Sequence, residues 1–178
     1  MRPRFIALLV PALGLVATLA VAQVTKETVP GITNFSRVET TIACAGATTP
    51  AAVAEVKRLG YASIINLRQA NEPGADVEGE AAAAKAANII YIHLPLNTAS
   101  PDPAIVDQFL AAVTAKANQP VFVHCASANR AAAVWMVKRM LADGWDADRA
   151  GKEAADLGLT NPALKNFALE YVAGHKKQ

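Results

Sequence analysis

Cysteine is scarce in this chain: two residues, Cys44 and Cys125, among 178. A small scaffold stapled by disulfides is thereby excluded. Histidine is scarce too. His93, His124 and His175 are scattered, with no Cys or carboxylate at matching spacing, so no metal site and no cofactor are expected. Net charge is small at +2, and setting Arg2 and Arg4 aside leaves 15 basic against 15 acidic residues. A neutral domain has no electrostatic footprint for nucleic acid or for anionic lipid. Repeats are absent, which removes collagen-like and solenoid architectures. Apolar residues are plentiful: 53% of the chain is hydrophobic and 18% charged, too apolar for disorder and enough to bury one globular domain.

The N-terminus reads as an address. Met1 to Arg4 is short and basic, and Phe5 to Val21 is an apolar run broken only by Thr18, Pro11 and Gly14. Ala20-Val21-Ala22 then forms a small-x-small cleavage pattern before Gln23. This is the layout of a secretory signal peptide over 1–22, followed by a domain over 23–178 that works outside the cytoplasm. The competing reading is an uncleaved anchor, but the run is shorter than the ~20 residues a spanning helix needs. Nothing later is apolar enough to span a bilayer, so no stable membrane insertion is expected after cleavage.

The remainder alternates strands and helices. Val24 to Phe35 is a mixed lead-in. Val38, Thr40, Ile42 and Cys44 alternate as in a half-buried strand. Thr49-Pro50 offers a cap and a proline for a helix ending at Gly60. Short apolar runs over 61–67, 89–94 and 120–124 read as strands, with helices over 76–88, from Ser100-Pro101 to about Asn118, 130–141, 146–157 and 162–172. Strand, helix, strand, helix predicts a three-layer α/β fold. Its sheet of four to five largely parallel strands would carry helices on both faces.

One segment carries chemistry. A buried strand, Val121 to Val123, leads into His124-Cys125; four residues follow, then Arg130, then a helix. Ligands bind at the C-terminal ends of strands in such sheets. A loop wrapping into a helix N-terminus points several N–H groups at one spot, where the helix dipole adds positive potential. A thiolate at that spot is stabilised, and an arginine closing the loop adds a planar fork for two oxygens. Cys125 by itself would be a small core hydrophobe; Arg130 and the strand-to-helix switch set it apart.

These residues resemble the cysteine-based protein tyrosine phosphatases, whose signature is His-Cys, five residues, Arg. Gly60-Tyr61, Ile64-Ile65-Asn66-Leu67-Arg68, Glu72 and Tyr91-Ile92-His93-Leu94-Pro95 extend the resemblance to the bacterial dual-specificity-phosphatase-like family that includes the beta-lactamase-hydrolase-like phosphatase domain. The similarity runs from about Asn34 to Trp145. It implies a phosphorylated substrate and a cysteinyl-phosphate intermediate. Cys125 would attack phosphorus, while Arg130 and the N–H groups of Ala126, Ser127, Ala128, Asn129 and Arg130 hold the phosphoryl oxygens. His124 would sit behind the loop and hydrogen-bond its backbone. Asn97 occupies the position where the resemblance puts the general acid, which leaves Asp102 as the nearest carboxylate, either as acid or as a helix cap.

Three departures keep other readings open. Only four residues separate Cys125 from Arg130, a spacing more similar to rhodanese-type sulfurtransferases. The loop has no glycine, so Asn129 is the residue best suited to a positive φ. Ala131 follows Arg130 where the resembling enzymes carry Ser or Thr, leaving Ser127 as the hydroxyl at hand. The alternatives to phosphate-ester hydrolysis are therefore sulfur transfer through a Cys125 persulfide and non-catalytic anion binding. Arg68 and Glu72 either pair beside the pocket or are solvated. Trp135 and Trp145 read as packing residues, and Cys44 as a buried strand residue, with a bond to Cys125 as its alternative.

Overall fold

The structure, a computed structural model, describes residues 24–175; the expected signal peptide lies outside these residues. The strands are β1 (Thr25–Lys26), β2 (Ser36–Glu39), β3 (Ile42–Ala45), β4 (Ser63–Asn66), β5 (Ile90–His93) and β6 (Val121–His124). The helices are α1 (Val53–Arg58), α2 (Val77–Ala86), α3 (Pro103–Thr114), α4 (Asn129–Leu141), α5 (Ala147–Leu157) and α6 (Pro162–His175). None of these is long and apolar enough to cross a membrane.

The sheet order is β1-β2-β3-β6-β4-β5. From β3 to β5 the neighbours are parallel, whereas β1, β2 and β3 pair antiparallel. The sheet therefore has six strands rather than four or five. The extra ones come from the lead-in and from 36–45, which folds as a hairpin instead of one strand. Its turn is only Thr40-Thr41. A two-residue turn alone would put Val38 and Ile42 on opposite faces, but the register shifts by one residue between Arg37 and Glu39; this bulge restores the alternation of Val38, Ile42 and Cys44, and the reversal leaves no mark on the pattern. The α3 start also moves. Asp102, not Ser100, is the cap, and its side chain accepts from Ala104 N at 2.9 Å, with Pro103 opening the helix. The Thr49 hydroxyl makes no capping bond.

Strand parity divides the interior in two. Ile42, Cys44, Ile65, Val121 and Val123 face a large core with α3 to α6, while Ala43, Ala45, Ile64 and Phe122 face a smaller one with α1 and α2. Continuing the alternation of β6 sends Cys125 into the large core and His124 to the other face. Phe122 centres the smaller core, with ring centroids 6.1 Å from Phe35, 5.9 Å from Tyr61 and 5.7 Å from His124. On the far side, buried Arg139 of α4 binds Glu153 of α5, Glu39 of β2 and Asp143. Its guanidinium stacks on Trp135 and Trp145, the packing role expected of both rings. Phe122→Ala should cost roughly 3–5 kcal/mol of unfolding free energy, read from urea denaturation, because three rings lose their shared neighbour.

Candidate active site

Strand β6 is central and wholly buried, with β3 on one side and β4 on the other. Its ladder with β3 runs one residue beyond the strand, where Cys125 N donates to Ala45 O at 3.2 Å. The chain then turns away. Ala126 and Ser127 are exposed, Ala128 is buried, and α4 begins at Asn129. Gly46 and Ala47 wall one side of the loop, with Ala47 N donating to Ala126 O at 3.0 Å. A Cβ on Gly46 would stand 3.2 Å from Ala126 O and 2.4 Å from Thr33 Oγ1, so this close approach requires glycine.

The left-handed residue of the loop is Ala128, at φ 72°, and not Asn129. Asn129 is already helical, and its amide is occupied elsewhere. Oδ1 accepts from Thr160 N at 2.7 Å and Asn161 N at 2.9 Å, while Nδ2 donates to Ser127 Oγ at 3.3 Å. Asn129 thus ties the loop to the α5–α6 connection. Tertiary bonds outweigh the ~1–2 kcal/mol by which a left-handed alanine is disfavoured. Asn34 Nδ2 supports the loop from outside through Ser127 O at 3.4 Å. A cleft of about 490 Å³ opens beside these supports, lined among others by Lys26, Asn34, Phe35 and Thr160.

Arg130 is buried, and its donors can be counted. Nη1 donates to Leu67 O and Leu96 O, each at 3.0 Å, and to Glu72 Oε1. Nη2 donates to Glu72 Oε2 at 2.7 Å. A guanidinium carries five N–H groups. The Nε–H and the second Nη2–H remain, and they share one edge of the plane, the geometry that takes two oxygens of an oxyanion side by side. Burial pulls the Arg130 pKa down, but Glu72 and the Cys125 sulfur outweigh it and hold it above its ordinary value.

Glu72 is the residue whose role the sequence left open, and it is no solvated loop residue. Burial pushes its carboxyl up. Arg130, the Gln69 N–H and Arg68 pull it down further, to about 2. Its loop is shaped by Arg68, which donates to Gly74 O at 2.8 Å and Pro73 O at 2.6 Å. Acidic Glu72 four residues after Arg68 is the signal that pointed here; nothing in the spacing pointed to Arg130 as its main partner.

His124 does not bond the loop backbone. It is fully buried on the opposite face, 3.4 Å from Glu80 Oε2. Asp102 is exposed and caps α3, and Asn97 accepts from Ala99 N at 2.9 Å. Cys44 and Cys125 are both free thiols. Cys44 pairs with Val123 in the ladder, so the two thiols are diagonal rather than opposite. Burial, with a further contribution from Cys125, pushes the Cys44 thiol far above its ordinary pKa, which leaves it a poor nucleophile. Among the described residues no group of three or more His, Cys, Asp or Glu converges as metal ligands would.

A strand ending in a buried cysteine, a tight connection into the next helix and a guanidinium oriented by a carboxylate make up the candidate site of a phosphatase-like α/β protein. Residues 34–142 match the family described as beta-lactamase hydrolase-like protein, phosphatase-like domain. The chain belongs to this family. Among solved structures it is similar to a putative phosphatase from Shewanella putrefaciens, with 20% identity and a TM-score of 0.69 over 83% of this chain and 94% of that one. It is similar to TpbA of P. aeruginosa at 24% identity and a TM-score of 0.66, covering 89% and 94%. A TpbA variant has been solved with pTyr. The core catalytic domain of the PP-IP phosphatase SIW14 from S. cerevisiae shares 19% identity and a TM-score of 0.66 over 81% and 88%. No curated protein matches.

The Glu72 carboxylate sets a pH dependence. Its pKa is depressed in the folded state, so its contribution to stability is full above about pH 4.5 and is lost as pH falls toward about 2. Denaturation of Glu72→Gln across this range should show a flatter acid limb than wild type, the difference being on the order of 3 kcal/mol.

Proposed function

We propose that the protein hydrolyses phosphate monoesters in two steps through Cys125. The observation that carries this reading is the free edge of Arg130, held by Glu72 beside Cys125. A tetrahedral phosphoryl group offers the paired oxygens that such an edge takes. In the first step the Cys125 thiolate attacks phosphorus, an S–P bond forms and the ester P–O bond breaks. The leaving oxygen takes a proton. Arg130 and the N–H groups of Ala126, Ser127, Ala128 and Asn129 take up charge on the phosphoryl oxygens. In the second step water attacks phosphorus, releases inorganic phosphate and returns the thiolate. Glu72 holds Arg130 and, ionised down to about pH 2, has no proton to give. Asp102 is the proposed donor to the leaving oxygen, from the connection between β5 and α3. The proposed setting is outside the cytoplasm, a reading supported by the 1–22 sequence.

Sulfur transfer is the second reading. It is favoured by the four-residue loop between Cys125 and Arg130. Cys125 would take a sulfane sulfur as a persulfide and pass it to an acceptor.

The deciding test uses p-nitrophenyl phosphate with reduced protein. Turnover that disappears in Cys125→Ser and falls about 10²–10³-fold in Arg130→Lys supports hydrolysis. Thiocyanate formation from thiosulfate and cyanide, without phosphate release, transfers the assignment to sulfur chemistry. Anion binding with neither reaction makes the chain a binding module. If Asp102 protonates the leaving oxygen, Asp102→Asn should slow alkyl phosphates by about 10²–10⁴-fold. It should barely affect p-nitrophenyl phosphate, whose phenolate leaves without help.

A further inference from the structure

Beneath the loop, on the sheet face away from Cys125, lies a buried polar cluster that the two-step reaction does not use. Glu80 sits near the start of α2 and is 3% exposed. Its Oε2 accepts from Asn66 Nδ2 at 2.6 Å and from Tyr91 Oη at 3.0 Å, and lies 3.4 Å from His124 Nε2. Among the described residues, the buried side-chain atoms without a hydrogen-bond partner are Glu80 Oε1 and both ring nitrogens of His124. A buried carboxylate or imidazole left unpaired is costly. The His124 ring faces this carboxylate through Oε2, and a proton on Nε2 directed at it gives the ring a partner and the carboxylate a third donor. Helix α2 buries only Glu80 and Ala84 against the sheet. An apolar residue at position 80 would be at least as stabilising as a buried pair.

We propose that Glu80 is a positioning residue for Cys125: it fixes the Nε2–H tautomer and ring of His124, and so anchors the strand end from which the loop springs. This rests on Cys125 being the nucleophile. His124 precedes Cys125 directly, and its C=O accepts from Leu67 N at 2.9 Å. The Leu67 C=O in turn accepts from Arg130 Nη1 at 3.0 Å. A displaced His124 therefore disturbs the nucleophile through one peptide bond and the guanidinium through one residue. Facing the pair are Tyr91 from β5, Asn66 from β4 and Phe122 from β6. Across the sheet, Arg130 and Cys44 accompany Cys125.

The test reads Cys125 itself, so it does not depend on which reaction the site runs. Alkylation of Cys125 by iodoacetamide is followed against pH in the purified protein, with thermal unfolding alongside. Glu80→Leu should slow alkylation at neutral pH about tenfold, recovering at higher pH. Glu80→Gln, whose amide oxygen still accepts from Nε2, should stay within about threefold of wild type. Tyr91→Phe, which removes one donor to the carboxylate, should lower the melting temperature and leave the profile in place. Unchanged profiles in all variants, or equal shifts in Glu80→Gln and Glu80→Leu, overturn the proposal. Should Glu80→Leu not fold, ¹⁵N resonances of His124 in the wild type decide the matter: an Nε2–H ring supports it and an Nδ1–H ring refutes it. Loss of the phosphatase reading would appear separately, as absence of phosphate release by wild-type protein.

Discussion

The Arg130–Glu72 ion pair is the contact on which the candidate site depends. A buried guanidinium needs a counter-charge and acceptors for its remaining N–H groups. Arg130 finds them in two connections at the C-terminal ends of the parallel strands: Leu67 and Glu72 in the β4–α2 loop, and Leu96 after β5. One side chain from α4 thereby sets the relative positions of two loops. The same contacts leave a single edge of the guanidinium free, and that edge borders the Cys125 loop.

The sheet adds a second constraint. Side chains alternate along β6, so adjacent His124 and Cys125 face different cores. Cys125 is delivered to the side where α4 starts, where N–H groups and dipole converge. His124 is delivered to the side covered by α2, where Glu80, Asn66 and Tyr91 surround it. The surroundings of Cys125 are thus built from both faces, with only a peptide bond between them.

Much of this was legible. The strand-to-helix segment with His124, Cys125 and Arg130 marked the candidate site because a strand end and a helix start meet there. The parallel sheet was legible from alternating strand and helix runs. Less visible were features set by partners distant in sequence. The left-handed position in the loop fell to Ala128, because the Asn129 amide is drawn to Thr160 and Asn161. Backbone preference alone favoured asparagine, and a hydrogen bond across 31 residues reversed it. The 36–45 hairpin was hidden because a one-residue register shift beside its two-residue turn leaves the alternation intact. Asp102 prevailed over Ser100 as the α3 cap, both being followed by proline, and the first-turn bond distinguishes them only in three dimensions.

By itself the sequence determined which residues carry chemical potential: a cysteine at a strand end, an arginine at a helix start, and the run of elements that brings them together. These are local properties, set by periodicity, caps and spacing within a few turns of chain. Tertiary structure decided which partner each charge would find. Arg130 meets Glu72 from 58 residues away, and His124 meets Glu80 on the face covered by α2. Sequence separation carries no information about such encounters. They arise because a buried charge must be matched by whatever group the packing brings within reach.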